Sequence, residues 1–153
     1  MIDQKDEHEI HALNQALELL HFGYRAFTAE ADEILQHQQL GRVHHRILYF
    51  VAREPGIDVA TLRATLAVSK QALHGPLRKL QEDGLVVHKS HPTDKRSRCL
   101  QLSEQGQMLE QQVTQAQHAL LLEVLGEDKT VNEHWREVMR RLAGRETDRD
   151  LGP

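Results

Sequence analysis

The sequence predicts a mainly α-helical fold that contains one short β hairpin. Near both ends of the 153-residue chain, apolar residues recur three and four positions apart, which is typical of one face of a helix. Two short apolar runs, at Val86-Val87 and at residues 98–102, flank the turn-forming sequence His91-Pro92-Thr93-Asp94. Capping and helix-breaking residues separate the segments. The order is therefore three helices, a further helix, a hairpin and two final helices.

A long amphipathic helix is predicted over residues 8–37. Its apolar face consists of Ile10, Leu13, Leu17, Leu20, Tyr24, Phe27, Ala31 and Ile34. A near-heptad face of this kind requires a partner, either within the fold or in a second copy of the chain. Gly23 weakens the helix by about 1 kcal/mol relative to Ala, so we expect close packing at that position.

The middle of the chain has a helix-turn-helix arrangement. A second helix, with Val43, Ile47, Leu48 and Val51, is predicted to end before Pro55-Gly56. Asp58 is a suitable N-cap for a short helix that continues to Leu66, and Ser69 is a suitable N-cap for the next helix. A short helix, a tight turn and an outward-facing helix is a DNA-binding arrangement.

The helix that follows Ser69 has two chemically different faces. Leu73, Leu77 and Leu80 form the apolar face, which predicts burial. The polar face carries Lys70, Gln71, His74 and Arg78, and Gly84 ends the helix. Gln can pair with adenine and Arg with guanine through two atoms each, so this face is a candidate for base recognition in a major groove. The alternative is an ordinary solvated helix face.

Pro76 lies inside this helix and removes the hydrogen bond to the carbonyl of Ala72. One alternative starts a new helix at Pro76, which would divide the polar face. The continuous Leu73–Leu77–Leu80 spacing favours a single, kinked helix.

The hairpin has a basic exit from its turn, formed by Lys95, Arg96 and Arg98. Arg96 can enter a narrow minor groove, and Asp94 can hold an Arg through a two-point ion pair. In the strand Arg98–Leu102, alternation predicts Leu100 and Leu102 inward and Cys99 and Gln101 on the other face. The alternative is a charged hairpin that contacts no DNA.

The C-terminal part predicts two further helices. Ser103 caps a helix with Leu109, Val113, Ala116 and Leu120 on its apolar face, and Gly126 ends it. Thr130 and Glu133 form a capping box for a last helix, which carries Val131, Trp135, Val138 and Leu142 and stops near Gly144. We therefore predict a helical dimerisation region (1–40 and 104–146), a winged helix-turn-helix DNA-binding lobe (41–103) and a mobile tail (147–153).

Charge is unevenly distributed along the chain. The net charge is −4, but residues 68–98 hold seven Lys or Arg against three acidic residues, a local balance of +4 that leaves −8 elsewhere. The local charge sets the field that a phosphate meets. A charged fraction of 27%, no apolar run that could span a membrane and a polar N-terminus predict a cytoplasmic protein with no membrane partner. The single cysteine, Cys99, excludes an internal disulfide and agrees with a reducing compartment.

No cofactor, metal site or enzymatic activity is predicted. The eleven histidines include His8, His11, the pair His44-His45 and His118, but no cluster has the spacing of a structural zinc site. Phosphate-binding loops, nucleophile elbows and HExxH motifs are absent from the sequence. Nothing in the sequence indicates that Cys99 is a redox switch.

The hairpin and its exit resemble a known family. Asp94-Lys95-Arg96, then Leu102-Ser103, then Gly106 is similar to the Asp-x-Arg…Leu-Thr-x-x-Gly signature of the MarR (multiple antibiotic resistance regulator) family, with Ser103 in the place of Thr. The resemblance covers residues 40–106. It implies a homodimeric winged-helix transcription regulator, more often a repressor, in which Asp94 is structural and Arg96 contacts double-stranded DNA. It also implies release by a small-molecule effector, often aromatic or phenolic.

Two alternatives to this interpretation differ in their partners. A winged helix that serves as a protein-interaction module would present its basic face to an acidic protein. A metal-responsive regulator would change its DNA affinity on binding zinc or nickel. The residues Phe22, Tyr24, Phe27, His45 and Tyr49 are near the expected effector region, although core packing explains them better than an effector pocket does.

Overall fold

The structure is a computed structural model that describes the backbone of residues 4–90, 93 and 98–150, and the side chains of residues 6–90, 93 and 98–144. It contains α1 (Gln4–Gln36), α2 (Arg42–Arg53), β1 (Ile57–Asp58), α3 (Val59–Leu66), α4 (Lys70–Glu82), β2 (Val86–Ser90), β3 (Arg98–Leu102), α5 (Glu104–Leu125) and α6 (Lys129–Asp150). The chain divides into two compact units, residues 1–117 and 118–153. The mainly α fold with a β hairpin is confirmed.

The sheet has one more strand than the sequence predicts. Strands β2 and β3 form the expected antiparallel hairpin, in which Val86 pairs with Leu102 and Ser90 with Arg98. The short strand β1 pairs with the other edge of β3, so the strand order is β1-β3-β2. The prediction of a two-stranded hairpin alone is therefore incomplete.

The third strand also changes the environment of Cys99. The sequence predicted Cys99 on the opposite face from Leu100, yet both residues are buried, with 5% and 0% of their surface exposed. Cys99 is in the central strand, where its neighbours are Asp58 on one side and Lys89 on the other. The two side chains can still lie on opposite faces as predicted, so at these positions both faces of β3 are covered.

One hydrophobic core lies in the first unit and joins every element of the winged helix to α1 and α5. Its fully buried side chains are Leu35, Ile47, Leu48, Val51, Leu62, Leu73, Leu80, Val86, Leu100 and Val113. The predicted apolar face of α4 is confirmed, because Leu73, Leu77 and Leu80 are all in this core. The opposite face of α4 is therefore fixed toward solvent.

The predicted helix starts in the winged helix are confirmed by side-chain hydrogen bonds. Asp58 caps α3 by accepting from the N–H of Thr61 at 2.7 Å, and the Oγ of Ser69 caps α4 by accepting from the N–H of Ala72 at 3.1 Å. Between these helices Ala67 has φ of +51°, in the left-handed region. Helix α4 is continuous through Pro76, which excludes the alternative of a helix that starts there.

Ser103 and Gly106 have structural roles at the start of α5. The Oγ of Ser103 donates to the carbonyl of Gly84 at 2.6 Å and accepts from the N–H of Gly106 at 3.0 Å. A Cβ at Gly106 would overlap the backbone carbonyl of Leu85. The start of α5 therefore lies directly against the connection between α4 and β2, and only glycine permits this approach.

The last helix differs from its prediction at both ends. Asp128, rather than Thr130, caps α6, because its carboxylate accepts from the N–H of Thr130 at 2.8 Å and of Val131 at 3.3 Å. The helix does not stop near Gly144 but continues to Asp150, into the segment predicted as a tail. Both Asp and Thr are good capping residues, and only the folded backbone decides between them.

Helices α1 and α6 carry exposed apolar side chains within the described part of the chain. On α1 these include Ile10, Leu13, Leu17, Leu19, Leu20 and Phe22, and on α6 they include Val131, Trp135, Val138 and Leu142. None of the helices in the described ranges is long and apolar enough to cross a membrane.

Candidate nucleic-acid interface

A groove of about 700 Å³ lies between the N-terminal end of α3, helix α4 and the two hairpin strands. Its lining residues are Val59, Ala60, Arg63, Lys70, Leu73, His74, Leu77, Arg78, Gln81, His88 and Arg98. Four of these side chains are cations and two are histidines, and none of the eleven is acidic. Because like charges on one concave surface reinforce each other, the groove attracts anions.

The structure brings together four of the predicted site residues. Lys70, His74 and Arg78 follow one another along the exposed face of α4, and Arg98 lines the same groove from the turn end of the hairpin strands. They line the groove because the buried leucines of α4 turn the opposite face outward.

Two other predicted residues on α4 have different positions. Ser69 is the N-cap, and its side-chain oxygen is used by the N–H of Ala72. Gln71 is exposed but does not line the groove. The remaining predicted residues, Asp94, Lys95 and Arg96, lie outside the described residues.

Three groove residues were missed by the sequence analysis. Arg63 is on the exposed side of α3, one residue after buried Leu62, and the N-cap at Asp58 could have indicated its direction. Gln81 on α4 and His88 on β2 form a hydrogen bond of 2.7 Å between Nε2 of each side chain. Nothing local in the sequence connects two residues on different elements.

Two of the three cations of α4 form ion pairs with carboxylates one turn later. Arg78 pairs with Glu82 through Nε and Oε1 at 2.7 Å, and Lys79 pairs with Asp83 at 2.6 Å. Arg78 lines the groove, whereas Lys79 does not. The two pairs have the same i,i+4 spacing but lie on different sides of the helix.

A second polar cluster connects α2 to α5 within the first unit. Glu110 is buried, and its Oε1 accepts from Arg53 at 3.0 Å and from the hydroxyl of Thr114 at 2.7 Å. The guanidinium of Arg53 also lies over the ring of Tyr49, 4.2 Å from its centroid. A buried carboxylate needs such partners, so Arg53 stabilises the junction between the two helices.

His45, one turn before Tyr49 on α2, has a buried Nε2 without a hydrogen-bond partner among the described residues. Burial lowers the pKa of His45 below its ordinary value of 6.5, and the nearby Glu110 carboxylate opposes part of this shift. Burial also lowers the pKa of His44, with a smaller contribution from the Lys79 ammonium. The Nδ1 of His44 accepts a hydrogen bond from the N–H of Gly41 at 3.0 Å, which requires an unprotonated nitrogen.

The described residues contain no group of three or more His, Cys, Asp or Glu side chains arranged to hold a metal ion.

Phe22 and Tyr24 of α1 are exposed, and His45 and Tyr49 are half-buried on α2 with their rings in an edge-to-face contact.

Comparison with known proteins places the winged-helix lobe in a family. Residues 38–97 match the model of the MarR family. The HTH-type transcriptional regulator PetP of Rhodobacter capsulatus is 46% identical over 105 residues, which are 69% of this chain and 63% of that protein. The chain therefore spans less than two thirds of this relative.

Solved structures show the same fold over most of the chain. A crystal structure of a MarR family transcription regulator superposes with a TM-score of 0.76 at 21% identity and covers 96% of this chain and 98% of that one. A variant of S. aureus MepR bound to an oligodeoxyribonucleotide superposes with a TM-score of 0.60 at 14% identity, covering 84% and 96%. The family match and the similarity to PetP show that the winged-helix lobe of this chain is that of a MarR family regulator, and the solved structures share its fold.

Proposed function

We propose that this protein is a sequence-specific DNA-binding transcription regulator that acts as a homodimer. The observation that supports this most directly is the groove between α4 and the hairpin, which presents Lys70, Arg78, Arg63 and Arg98 and has no acidic residue in its lining. A capped helix with an exposed polar face, beside a basic hairpin, suits a major groove and the minor groove next to it. MepR, which has the same fold, is in complex with an oligodeoxyribonucleotide.

Helix α4 supplies the residues that read bases. We expect the exposed side chains of His74 and Arg78, which line the groove, and of Gln71, which does not, to contact base edges. We expect Lys70, in the first turn, to contact a phosphate. The first-turn N–H groups of α4 also favour an anion, because the helix dipole is positive at that end. Base contacts determine sequence preference, and phosphate contacts determine most of the affinity.

The hairpin supplies the contacts to the neighbouring minor groove. Arg98 is at the start of β3 and lines the groove, so it can reach a phosphate next to the site read by α4. Lys95 and Arg96 remain predicted DNA contacts and Asp94 a predicted structural partner, on the strength of the family signature. We expect Arg96→Ala to weaken binding to most sequences with little change in preference.

The dimer is proposed from the exposed apolar faces of α1 and α6. On α1, Leu13 and Leu17 expose 60% and 66% of their surface, and on α6 Val138 exposes 61%. Contiguous apolar faces of this extent are typical of an interface rather than of a monomer surface. A two-fold dimer reads a pseudo-palindrome whose half-sites are about 10 bp apart, or a multiple of it.

The proposed repressor role and the proposed response to a small-molecule effector rest only on the resemblance to the MarR family. We propose a repressor that leaves its operator when a small aromatic or phenolic molecule binds. A thermal-shift screen of such molecules, followed by DNA release at constant salt, tests this part independently of DNA binding itself.

The central experiment is a selection of bound sequences from random duplexes, followed by anisotropy titrations at several salt concentrations. We expect one enriched pseudo-palindrome and an affinity that falls steeply with the logarithm of salt concentration. Lys70→Ala and Arg98→Ala should each reduce the salt slope of the dimer by about 1.8, because each removes one phosphate contact from each of the two protomers, at about 0.9 per contact. Arg140→Ala, an exposed cation on α6, is the control and should leave the slope unchanged.

A chain that enriches no sequence and binds duplexes only weakly would contradict the proposal. That result would favour the interaction-module alternative, in which the basic groove receives an acidic protein. Addition of zinc or nickel to the same titrations tests the metal-responsive alternative.

A further inference from the structure

The arginine that lines the groove is held by a neighbour on its own helix. The Nε of Arg78 donates to Oε1 of Glu82 at 2.7 Å. In the part of the chain that the structure describes, the two terminal nitrogens of Arg78 make no hydrogen bond. The two side chains expose 69% and 59% of their surface, and of the two only Arg78 lines the groove.

The geometry of this pair leaves one edge of the guanidinium available. Some edges of a guanidinium can donate two parallel hydrogen bonds, and another edge can donate one. Without a partner, the group rotates freely. An acceptor on Nε fixes the plane of the group and leaves Nη1 and Nη2 as the free pair. Two parallel donors are what the O6 and N7 atoms of guanine accept in the major groove.

The charge of Glu82 acts in the same direction. A carboxylate beside Arg78 repels phosphate oxygens, so a phosphate competes less well than a base for this arginine. In free protein an exposed i,i+4 pair of this kind contributes little to stability. In a groove that DNA has filled, less water screens the pair, and the orientation of Arg78 is held more strongly.

We propose that Glu82 is a positioning residue that determines specificity: it orients Arg78 so that this arginine reads a guanine in preference to a phosphate. This inference rests on the proposed function, since it concerns the same DNA-binding surface. In this role Glu82, an acidic residue next to a cationic groove, lowers the affinity for DNA of any sequence and increases discrimination between bases.

The chain contains a matched control for this assignment. Lys79 and Asp83 form the same type of pair, one position later on α4, at 2.6 Å. Neither residue lines the groove. Asp83→Ala therefore removes the same charge from nearly the same place without affecting the orientation of Arg78.

The test compares the sequences selected from random duplexes by the parent, Glu82→Ala, Glu82→Gln, Asp83→Ala and Arg78→Ala, each as the full chain. Arg78→Ala identifies the base pair that Arg78 reads. Glu82→Ala should reduce the guanine preference at that pair by about fivefold or more, because a two-point base contact is lost or shared with phosphate. Glu82→Gln keeps an acceptor for Nε and should retain more of the preference, although it also lacks the charge.

The control outcome separates orientation from charge. We expect Asp83→Ala and Glu82→Gln to bind all duplexes more tightly than the parent and to keep most of its base preference. In the Arg78→Ala background, the additional substitution Glu82→Ala should cause no further loss of preference. Unchanged preference in Glu82→Ala, or a change equal to that of Asp83→Ala, overturns the inference while the proposed function stands. A parent chain that enriches no sequence overturns the proposed function instead. Thermal denaturation of each variant confirms that the exposed substitutions leave the fold intact.

Discussion

The winged-helix lobe buries its large apolar side chains, whereas the helices near the two ends of the chain expose many of theirs. In the lobe, Leu62, Leu80 and Leu100 are completely buried by other elements of the same chain. On α1 the apolar residues from Ile10 to Leu20 are more than half exposed, although they repeat with equal regularity. Periodicity therefore predicts which face of a helix will be buried but does not reveal whether the same chain provides the burying surface.

The two regions also expose different chemistry to potential partners. The lobe exposes a groove with four cations, whereas α1 and α6 expose rows of large apolar side chains. The first suits a phosphate polymer and the second suits an apolar surface such as a second copy of the chain. Substitutions in the lobe should therefore change stability or DNA binding, and those at the ends should change association.

The largest effect is expected where the lobe has no space to adapt. Gly106→Ala places a Cβ on the backbone carbonyl of Leu85 and should lower the free energy of unfolding by about 3 kcal/mol or more. Urea denaturation at one fixed protein concentration measures this change. Gly75→Ala, in the middle of α4, is the control, because no atom beyond its chain neighbours lies within 4 Å of the added Cβ. It should change stability by less than about 1 kcal/mol, since the gain in helix propensity is opposed by contact of the new Cβ with the ring of Pro76. Equal midpoints for the two variants would show that the contact at Gly106 is unimportant.

A charge on the apolar face of α1 should weaken dimerisation while leaving the winged-helix lobe folded. Leu17→Glu should weaken dimerisation by about 100-fold or more, because association would bury a carboxylate without a partner. Sedimentation velocity over a range of concentrations measures the dissociation constant, and circular dichroism monitors the fold. Gln15→Glu adds the same charge about 200° around the helix and should leave association unchanged. Dimerisation of Leu17→Glu with the affinity of the parent would place the interface elsewhere.

The two ion pairs of α2 extend the comparison to charged residues. Arg53→Met leaves the buried carboxylate of Glu110 without its cation and should destabilise the protein by about 1–3 kcal/mol. Arg42→Met breaks the pair with Asp32, whose members are more exposed, and should change the unfolding midpoint much less. Chemical denaturation of both variants at the same pH measures the two losses of stability. An Arg42→Met effect as large as that of Arg53→Met would contradict the role assigned to burial.

The smallest expected effect is a pH dependence that comes from α2. Burial lowers the pKa of His45 in the folded state, so the unfolded chain takes up a proton first as the pH falls below about 6.5. Stability is therefore retained above this pH and decreases below it. His45→Phe should reduce the difference in unfolding midpoint between about pH 7.5 and pH 6, and His44 accounts for part of the remaining difference. His37→Phe, at an exposed position, is the control, and an equal reduction in that variant would rule out His45 as the source.

Most features that depend on neighbouring residues were predicted from the sequence, and the cap of α6 at Asp128 is the exception. The caps at Asp58, Ser69 and Ser103 follow from hydrogen bonds between residues three positions apart. Strand β1 could not be predicted, since two residues become a strand only by pairing with β3, more than forty positions later. The burial of Cys99 could not be predicted either, because alternation along β3 does not reveal what covers its second face.

The candidate site shows the same division. Lys70, His74 and Arg78 were predicted because they share one face of a single helix. Arg63 and His88 were not, since their place in the groove depends on how α3 and β2 lie beside α4. The role of Gly106 was available only as part of a family signature, and its physical reason is a contact with a residue twenty-one positions earlier.

The burial of Cys99 gives the protein a natural reporter of local opening. It is the single cysteine of the chain, and its thiol is in the central strand with 5% of the residue exposed. A water-soluble thiol reagent can react only during the moments when β3 separates from its neighbours. The labelling rate, divided by the rate for a free thiol, therefore measures the fraction of time that the sheet is open. Because operator DNA would hold both α4 and the hairpin, the labelling half-life should lengthen in the complex.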